Sequence, residues 1–462
     1  MLVDLKKVKR IYFIGIKGVA MSGLAVICKN RGMAVAGSDM HEKFITDKIL
    51  RKNNIKVFEN FSATNLDFNP DLVVIGTSWG DDNVEVLEVK KRNLNFITDS
   101  EMRGLLSREK RTIAITGVHG KTTTTAMLSY LFSQAGLDPS FLIGTGNVPD
   151  LGGNAFWGQG EHFIVEGDEY VRSRDDKTPK FLDLSPTTSI ITSIEWEHVD
   201  IYPNLVSIEE PFRMLINKTR KMVVACGDWP SVRKVIKDHG DKVVTYGLEK
   251  DNFWQAENIS LASGKTSFHV KKNGADLGEF KIKLCGPHNV SNTLSVIIVG
   301  LSEGIRIEQI RKILPNFKGA QRRFDVSVRK GIIFVDDYGH HPTEIKTTLE
   351  SIRHCYPDKI IWCVFQPHMV SRTKALLGDF AQSFGDANQV FFADIFASAR
   401  EIAKDITSQD LAREVKKYHK QVTYSGDLDQ TIDYLKDKIK PGMVLVTMGA
   451  GDVYRVRDKL LS

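Results

Sequence analysis

The stretch from Thr112 to Thr123 reads Thr-Ile-Ala-Ile-Thr-Gly-Val-His-Gly-Lys-Thr-Thr, an apolar run that ends in a glycine-rich turn. The apolar run is typical of a buried β-strand, and the residues from Lys121 onward are typical of a helix. In such a strand–turn–helix unit, backbone N–H groups close around phosphate, the lysine neutralises phosphate oxygens, and a threonine hydroxyl reaches Mg²⁺. A phosphate-binding loop is therefore predicted, in a shortened form because Ile115 stands where the first glycine usually lies. The alternative is that Gly-Lys-Thr-Thr only caps a helix.

Outward from this turn, short apolar runs alternate with helical patterns along the chain. The strand-like runs are residues 11–15, 33–36, 71–76, 112–116, 162–166, 189–192, 332–336, 360–365, 390–393 and 444–447. This alternation predicts parallel βαβ units and the α/β class. Two stretches differ: residues 251–284 alternate apolar and polar around Asn273-Gly274, which predicts antiparallel strands, and the charged residues 100–110 are interpreted as a linker.

The composition limits the class of protein. The 462 residues leave room for about two to four domains. With 42% hydrophobic and 26% charged residues, disordered and fibrous structure is excluded. A net charge of +6 suits an anionic small molecule as well as a nucleic acid, so it decides neither.

Cysteine usage and hydropathy indicate the compartment. The five cysteines are widely spaced and form no C-x-x-C pair, so a disulfide framework or zinc site is not expected and a reducing compartment is favoured. No apolar run approaches the roughly 20 residues of a membrane span. We therefore expect a cytoplasmic protein without a membrane span.

Two acidic clusters follow strand-like runs in the unit that begins with the glycine-rich turn. They are Glu166-Gly-Asp-Glu169 and Glu195-Trp-Glu-His198-Val-Asp200. Alone they would be interpreted as solvated loop charges. Beside a phosphate-binding loop, their carboxylates and imidazole become candidate metal ligands.

Further polar segments stand at strand ends or helix starts. Gly286-Pro-His288-Asn289-Val-Ser-Asn292 either reads an adenine edge or caps a helix, and Arg322-Arg323 meets either a phosphate or water. Two carboxylates and two imidazoles in Asp336-Asp-Tyr-Gly-His-His341 are dense for a structural turn and predict a functional site. The loop Phe365-Gln-Pro-His368, with Arg372 after it, suits small-molecule contacts.

The first strand also ends in a glycine turn, Gly15-Ile-Lys17-Gly18-Val-Ala20-Met21-Ser22, and Asp39 closes the second strand. This resembles a dinucleotide fingerprint, but Lys17 and Ala20 replace two of its glycines, so a nicotinamide cofactor is weakly supported. A helix that begins after such a turn still suits the pyrophosphate of a nucleotide sugar.

The order of these motifs resembles the Mur ligases of peptidoglycan synthesis over nearly the whole chain. The resemblance implies a three-domain α/β architecture: a Rossmann-like UDP-sugar-binding domain (1–106), a P-loop ATPase-like central domain (107–318) and a Rossmann-like, amino-acid-binding C-terminal domain (319–462). It also implies ATP and Mg²⁺, and an amide bond formed through an acyl phosphate.

The resemblance further implies roles for matching residues. The expected ATP-binding residues are Gly117, Val118, His119, Gly120, Lys121, Thr122 and Thr123 in the loop, His288, Asn289 and Asn292 at the adenine, and Arg323 and Asp337 as a nucleotide clamp. The expected Mg²⁺ ligands are Thr122, Glu166 and His198. The expected uridine diphosphate contacts are Gly15, Gly18, Met21, Ser22 and Asp39, and the expected amino-acid contacts are His340 and Arg372. Lys121, His198, Arg323, Asp337 and His340 are the expected catalytic residues, and His340 is the hypothetical base.

Within the family the chain resembles the members that join L-alanine to UDP-N-acetylmuramate, and no nucleic-acid partner is expected. It departs from their pattern at Ser193 and Glu197, and at Met369-Val370, where an Arg-Tyr pair is usual. A region from Glu169 to Phe181 resembles instead the members that attach the tripeptide L-Ala-γ-D-Glu-meso-diaminopimelate. The alternatives are therefore that tripeptide ligase, a non-catalytic nucleotide-binding protein or a nicotinamide dehydrogenase.

Overall fold

A computed structural model of the chain describes residues 3–173, 176–262, 265–396 and 405–462. The contacts between Cα atoms divide the chain into two compact units. Unit 1 comprises the residues up to Glu195, Val206–Gln255 and Asn292–Leu314, and unit 2 comprises Trp196–Leu205, Ala256–Ser291 and Pro315–Ser462.

Unit 1 begins with a five-stranded parallel sheet. Its elements are β1 (Arg10–Ile14), α1 (Val19–Asn30), β2 (Ala34–Ser38), α2 (Asp47–Lys52), β3 (Lys56–Phe58), β4 (Leu72–Ile75), α3 (Val84–Lys91), β5 (Phe96–Thr98) and α4 (Asp99–Arg108). The strand order is β3-β2-β1-β4-β5. Because helices cover both faces of such a sheet, its central strands are apolar throughout, and Ile11, Tyr12, Phe13 and Ile14 are fully buried.

The predicted linker at residues 100–110 is wrong, because most of it forms the helix α4. Thr98 accepts a hydrogen bond from the Glu101 backbone N–H, while the Glu101 carboxylate accepts from the Thr98 N–H. This reciprocal cap satisfies two of the free donors at a helix start. Of the charges that suggested a linker, Arg108 is exposed, whereas Arg103 is buried and paired with Asp99. The apolar Met102 and Leu106 are fully buried.

The second sheet of the chain carries the predicted phosphate-binding loop. The elements that follow α4 are β6 (Arg111–Thr116), α5 (Lys121–Gln134), β7 (Ser140–Leu142), β8 (Ala155–Phe156), β9 (His162–Glu166), β10 (Thr188–Ile191), α6 (Leu205–Lys218), β11 (Met222–Cys226), α7 (Pro230–Ile236), β12 (Val243–Gly247) and β13 (Trp254–Ala262). Part of the strand order is β12-β11-β10-β6-β9-β7-β8. Since β6 lies between β9 and β10 and is parallel to both, the segments after these three strands meet at one edge of the sheet.

The next elements are β14 (Lys265–Lys272), β15 (Ala275–Ile282), α8 (Pro287–Ser302) and α9 (Ile307–Ile313). β14 and β15 form an antiparallel hairpin around Asn273 and Gly274, which both have positive φ, and this confirms the predicted turn. The antiparallel prediction is wrong for the start of β13, where Trp254 pairs in parallel with Tyr246 of β12. The helix α8 begins at Pro287, a residue suited to the first turn because proline lacks only an N–H that this turn leaves unpaired.

Unit 2 ends with a six-stranded sheet. Its elements are β16 (Asp325–Arg329), β17 (Ile332–Asp337), α10 (Pro342–Cys355), β18 (Ile360–Phe365), α11 (Val370–Ala375), α12 (Leu377–Ala381), β19 (Gln389–Ala393), α13 (Ser408–Val415), β20 (Val422–Gly426), α14 (Leu428–Leu435), β21 (Met443–Met448) and α15 (Tyr454–Leu461). The strand order is β16-β17-β21-β18-β19-β20, antiparallel only at β16. Separate apolar clusters, one including Phe365 and the other Phe391, pack within this part of unit 2. The α/β class and the predicted alternation of strands and helices are confirmed.

Two further observations concern the expected compartment. Although no disulfide framework was expected, Cys285 and Cys355 form a disulfide within unit 2, with Cα atoms 6.7 Å apart. Spacing along the chain could not indicate this pair, because 70 residues separate its members. Across the parts of the chain that the structure describes, no helix is long and apolar enough to cross a membrane.

Candidate active site

The loop between β6 and α5 has a backbone that depends on its two glycines. Gly117 and Gly120 have φ values of +118° and +82°, which favour glycine. A Cβ on Gly117 would lie 2.7 Å from the backbone nitrogen of Ser193, and a Cβ on Gly120 would lie 2.5 Å from Oδ1 of Asn292. The glycines therefore allow the segments that carry Ser193 and Asn292 to pack against the loop.

Lys121 begins α5 and turns its ammonium group back into the loop. Its Nζ donates to the carbonyl oxygens of Gly117 and Val118 and lies 2.9 Å from the carboxylate of Glu169. Burial acts to lower the pKa of Lys121, but the Glu169 and Glu166 carboxylates outweigh it, so the pKa is raised. The lysine is thus cationic and fixed at the loop, as an anion site requires. The sequence placed Glu169 in the acidic cluster that begins at Glu166, but it did not indicate that Glu169 pairs with Lys121.

The first two predicted Mg²⁺ ligands lie together in unit 1. The Thr122 hydroxyl donates to Oε1 of Glu166 at 3.1 Å, and Oε2 of Glu166 accepts from the backbone N–H of Gly144 at 2.9 Å. A hydroxyl and a carboxylate are the hard oxygen donors that Mg²⁺ prefers, so this pair fits the ion. His198, the third predicted ligand, belongs to unit 2.

The loop has a second set of polar contacts that the sequence did not indicate. The His119 backbone N–H donates to the Ser193 hydroxyl at 2.8 Å, and Nε2 of His119 lies 2.6 Å from Oε2 of Glu195. The His119 ring also lies 6.0 Å from the ring of Trp229. The sequence identified Glu195 only as a member of the downstream acidic cluster and Ser193 only as a departure from the family pattern. The strand order explains why both reach the loop.

The predicted adenine residues separate between the two units. Asn292 in unit 1 packs on Gly120, as described above. In unit 2, Nδ1 of His288 lies 3.4 Å from the Ser351 hydroxyl, and burial lowers the pKa of His288 to about 4. The Asn289 side chain donates to the carbonyl oxygen of Cys285 at 2.7 Å, which supports the start of α8.

The first glycine turn contains a buried polar cluster. Oδ2 of Asp39 accepts from the backbone N–H of Lys17 at 2.7 Å, and Oδ1 accepts from that of Met40 at 2.9 Å. Nζ of Lys17 donates to the carbonyl oxygens of Met40 and Glu42 and to the Glu59 carboxylate. Lys17, which occupies the position of a glycine in the dinucleotide fingerprint, therefore stabilises the turn through its side chain. Asp39 stabilises the same turn by accepting from its backbone.

The other residues predicted for this turn lie where β1 ends and α1 begins. Gly15 has a φ of +84°, and Gly18 is the residue before α1. Met21 is largely buried, and the buried Ser22 hydroxyl donates to the carbonyl oxygen of Val19 at 2.9 Å. Thus all the predicted uridine diphosphate residues lie at the carboxyl edge of the first sheet.

In unit 2, the two arginines after Ala320 have different environments. Arg322 is buried and donates to the carbonyl oxygens of Gly449 and Gly451, so it is a structural residue. The Arg323 guanidinium lies 4.9 Å from the centre of the Tyr338 ring. This contact leaves Arg323 as the candidate phosphate ligand of the pair.

Asp337 is the last residue of β17, and its carboxylate accepts hydrogen bonds from two backbone N–H groups. Oδ2 accepts from the Phe324 N–H at 2.8 Å, and Oδ1 accepts from the Gly339 N–H at 2.7 Å. Burial raises the pKa of Asp337 to about 6, although Arg323 acts to lower it. A carboxyl group with this pKa can change its protonation near neutral pH.

His340 has the environment of a neutral imidazole. Its Nδ1 lies 3.1 Å from the carbonyl oxygen of Tyr338, which can only accept, so Nδ1–H donates and Nε2 has a free lone pair. Burial lowers the pKa of His340 to about 4, and Arg372 acts in the same direction. His340 thus has the geometry of a base with Nε2 as the accepting atom.

A buried ion pair lies in the same part of unit 2. Nε of Arg372 donates to Oε1 of Glu197 at 3.0 Å, and Nη1 donates to the carbonyl oxygen of His368 at 3.1 Å. Nδ1 of His198 lies 3.9 Å from Oε1 of Glu197. Although burial opposes it, Arg372 and the surrounding imidazoles lower the pKa of Glu197. Glu197 was noted in the sequence only as a departure from the family pattern.

Three sequence profiles match consecutive parts of the chain. The profile described as "Mur ligase family, catalytic domain" matches residues 10–111, "Mur ligase middle domain" matches residues 115–300, and "Mur ligase, glutamate ligase domain" matches residues 322–451.

Proteins of similar sequence or structure match nearly the whole length of this chain. A protein of Caldanaerobacter subterraneus subsp. tengcongensis named UDP-N-acetylmuramate--L-alanine ligase is 38% identical, over 99% of this chain and 98% of that protein. The crystal structure of the UDP-N-acetylmuramate-alanine ligase of Thermotoga maritima is 28% identical and covers 98% of both chains with a TM-score of 0.83. A murein peptide ligase of Psychrobacter arcticus shares the fold at 23% identity, with 98% of both chains covered and a TM-score of 0.72. From these matches and the profiles, the chain belongs to the Mur ligase family.

Proposed function

We propose that the protein is an ATP-dependent ligase that joins L-alanine to the lactyl carboxylate of UDP-N-acetylmuramate in peptidoglycan synthesis. The observation that carries this proposal is the 38% identity, along nearly all of both chains, to a protein named for that activity. The glycine loop with its buried Lys121 supports the use of ATP, because it presents backbone donors and a fixed cation to phosphate.

The chemical problem is that a carboxylate oxygen is a poor leaving group. The lactyl carboxylate attacks the γ-phosphorus of ATP, the bond to the β,γ-bridging oxygen breaks, and ADP leaves. The amine nitrogen then attacks the carbonyl carbon of the acyl phosphate, a tetrahedral intermediate forms, and phosphate departs. Phosphoryl transfer of this kind depends mainly on positioning and on neutralisation of charge.

The side chains of the site match these steps. Lys121 neutralises charge on the transferred phosphoryl group, and Arg323 with Asp337 contributes to nucleotide binding from unit 2. Nε2 of His340 accepts the proton that the amine nitrogen loses, because this imidazole is neutral at pH 7. His340 and Arg372 are proposed as contacts of the amino acid. The further proposed contacts of ATP and of the uridine diphosphate are, respectively, Gly117, Val118, His119, Gly120, Thr122, Thr123, His288, Asn289 and Asn292, and Gly15, Gly18, Met21, Ser22 and Asp39.

Thr122, Glu166 and His198 are the residues proposed to hold Mg²⁺. Bound there, the ion would offset the negative charge of the phosphate oxygens. The oxygen pair of Thr122 and Glu166 supports this assignment through its donor chemistry.

We also propose three functional domains, at 1–106 for the nucleotide sugar, 107–318 for ATP and 319–462 for the amino acid, and a cytoplasmic location. The three Mur ligase profiles, which match residues 10–111, 115–300 and 322–451, support this division.

The decisive experiment supplies the protein with ATP, UDP-N-acetylmuramate and either L-alanine or the tripeptide L-Ala-γ-D-Glu-meso-diaminopimelate, and weighs the products by mass spectrometry. We expect a product heavier than the sugar nucleotide by one alanine residue, with one ADP per product. A product formed only with the tripeptide would transfer the assignment to the tripeptide ligase. ATP binding without any product would favour a non-catalytic nucleotide-binding protein.

A further inference from the structure

The strand order of the first sheet reverses at β1. β1 is followed by β2 on one side, whereas β4 lies on its other side. In open parallel sheets, ligands bind outside the carboxyl ends of the strands at such a reversal. The turn from Gly15 to Gly18 follows β1 at this edge, and the segment from Gly76 to Trp79 follows β4.

An aromatic side chain lies directly over the glycine turn. A Cβ on Gly15 would overlap Nε1 of the Trp79 indole, and a Cβ on Gly76 would lie 3.6 Å from its Cδ1. The indole therefore rests on the bare backbone of the turn. Gly15 is required here for two reasons: its φ of +84° and the ring that lies on it.

The indole is also supported from a second side. The ring centres of Trp79 and Phe61 are 4.4 Å apart, with the planes tilted by 55°. Both rings pack against the apolar cluster that includes Tyr12 and Ile75, yet both remain partly exposed. The result is an aromatic surface that is fixed by packing and remains partly exposed, beside the glycine turn at the carboxyl edge of the sheet.

A partly exposed indole is a suitable surface for a planar base. Stacking on an aromatic side chain is available to any base, since each base has a π-face. The side chains of Lys17 and Asp39 at this turn are charged and hydrogen-bonded, so neither offers an apolar surface to the face of a base.

We propose that Trp79, supported by Phe61, stacks against the uracil ring of the nucleotide sugar and determines much of its affinity. This inference rests on the proposed function, which supplies the uridine nucleotide. It adds a base-binding residue that the motifs of the glycine turn did not include.

The test combines tryptophan fluorescence with calorimetry, using UMP, UDP and UDP-N-acetylmuramate as ligands. Addition of UMP to the unmodified protein is expected to quench fluorescence. The Trp79→Phe variant is expected to lose most of this quenching while still binding UMP. In Trp79→Ala, the Kd for UMP is expected to rise about ten-fold, as for the loss of one base–aromatic contact.

The matched control is Trp157→Phe, since Trp157 is also in unit 1 but contacts Arg31 and Lys110. This variant should keep both the quenching and the affinity. ATP binding and circular dichroism establish that each variant is folded.

Each remaining result would overturn the proposal. Full quenching in Trp79→Phe, or an unchanged Kd in Trp79→Ala, would show that the base does not stack on this ring. Binding of UDP-N-acetylmuramate without any binding of UMP would place the contact on the sugar. If the unmodified protein bound no uridine nucleotide in calorimetry, the proposed function itself would fail, and with it this inference.

Discussion

Lys121 combines burial with positive charge. Its ammonium group is held by two loop carbonyls and by Glu169, so the side chain is fixed at the loop. Preorganised charge of this kind acts strongly in a site that excludes water.

We predict that Lys121→Ala lowers amino-acid-dependent ADP release by about a hundred-fold or more, because a single preorganised donor is typically worth that much in kcat. Coupled-enzyme measurement of ADP is the assay. The control is Lys91→Ala, an exposed lysine of α3 whose loss should leave turnover unchanged. Turnover near that of the unmodified protein in Lys121→Ala would refute the loop assignment.

His198 is the residue whose proposed role depends most on the metal. Its φ of +52° lies in the left-handed region, which is rare for residues other than glycine. Such strain at a polar residue is more common at functional sites than elsewhere.

For His198→Ala we predict that the Mg²⁺ concentration for half-maximal activity rises roughly ten-fold or more. A titration of ligase activity against Mg²⁺ measures this. The exposed His41→Ala variant serves as the reference, since the His41 side chain is 93% exposed. An unchanged titration curve in His198→Ala would remove His198 from the metal site.

At the scale of elements, α5 is bounded by two glycines with nearly the same backbone. Gly120 before the helix has a φ of +82°, and Gly136 after it has a φ of +80°. Their surroundings differ: a Cβ on Gly120 would meet Asn292, whereas a Cβ on Gly136 would meet nothing within 4 Å. The two positions therefore separate backbone strain from steric overlap.

We predict that Gly136→Ala costs only the strain of a left-handed alanine, about 1 kcal/mol of unfolding free energy, and retains ATP binding. Gly120→Ala should be more destabilising and should lose ATP binding, because the loop must move away from Asn292. Urea unfolding and calorimetry with ATP compare the pair. Equal effects of the two substitutions would show that the packing of Asn292 on the loop is unimportant.

At the scale of the whole molecule, buried titratable groups make the free energy of unfolding depend on pH. Burial lowers the pKa of His288 and of His340 to about 4, whereas an unfolded histidine titrates near 6.5. The unfolded chain therefore binds more protons between these values, so both histidines destabilise the native state as the pH falls from about 6.5 to 4. Asp337, with a pKa of about 6, acts in the opposite direction.

We predict that His288→Gln reduces the loss of unfolding free energy in this pH range by up to about 1.4 kcal/mol per pH unit, the contribution of one proton. Urea unfolding at a series of pH values tests this, with His41→Gln as the exposed control. NMR titration of the His288 imidazole gives a direct check. A pKa near 6.5 for His288 would contradict the prediction.

Much of the architecture was predictable because its signals are local. The apolar run before Gly117 predicted a strand, which the structure confirms as β6. The Asn273-Gly274 pair predicted a turn, which the structure confirms in the β14–β15 hairpin. The failures have equally local causes. The density of charged residues in α4 resembles that of a linker, and the alternation that predicted antiparallel pairing does not specify which strand the start of β13 pairs with.

The candidate site divides in the same way. Residue types and their order along the chain were enough to identify the glycine loop, the acidic clusters and the histidine-rich turn, since each lies within a few consecutive residues whose backbone geometry they specify. The pairs that complete the site join distant residues: Lys121 with Glu169 is 48 residues apart, His119 with Glu195 is 76, and Arg372 with Glu197 is 175. These partners became known only from the folded chain, because strand order and packing bring distant segments together and no short pattern encodes which side chains then meet.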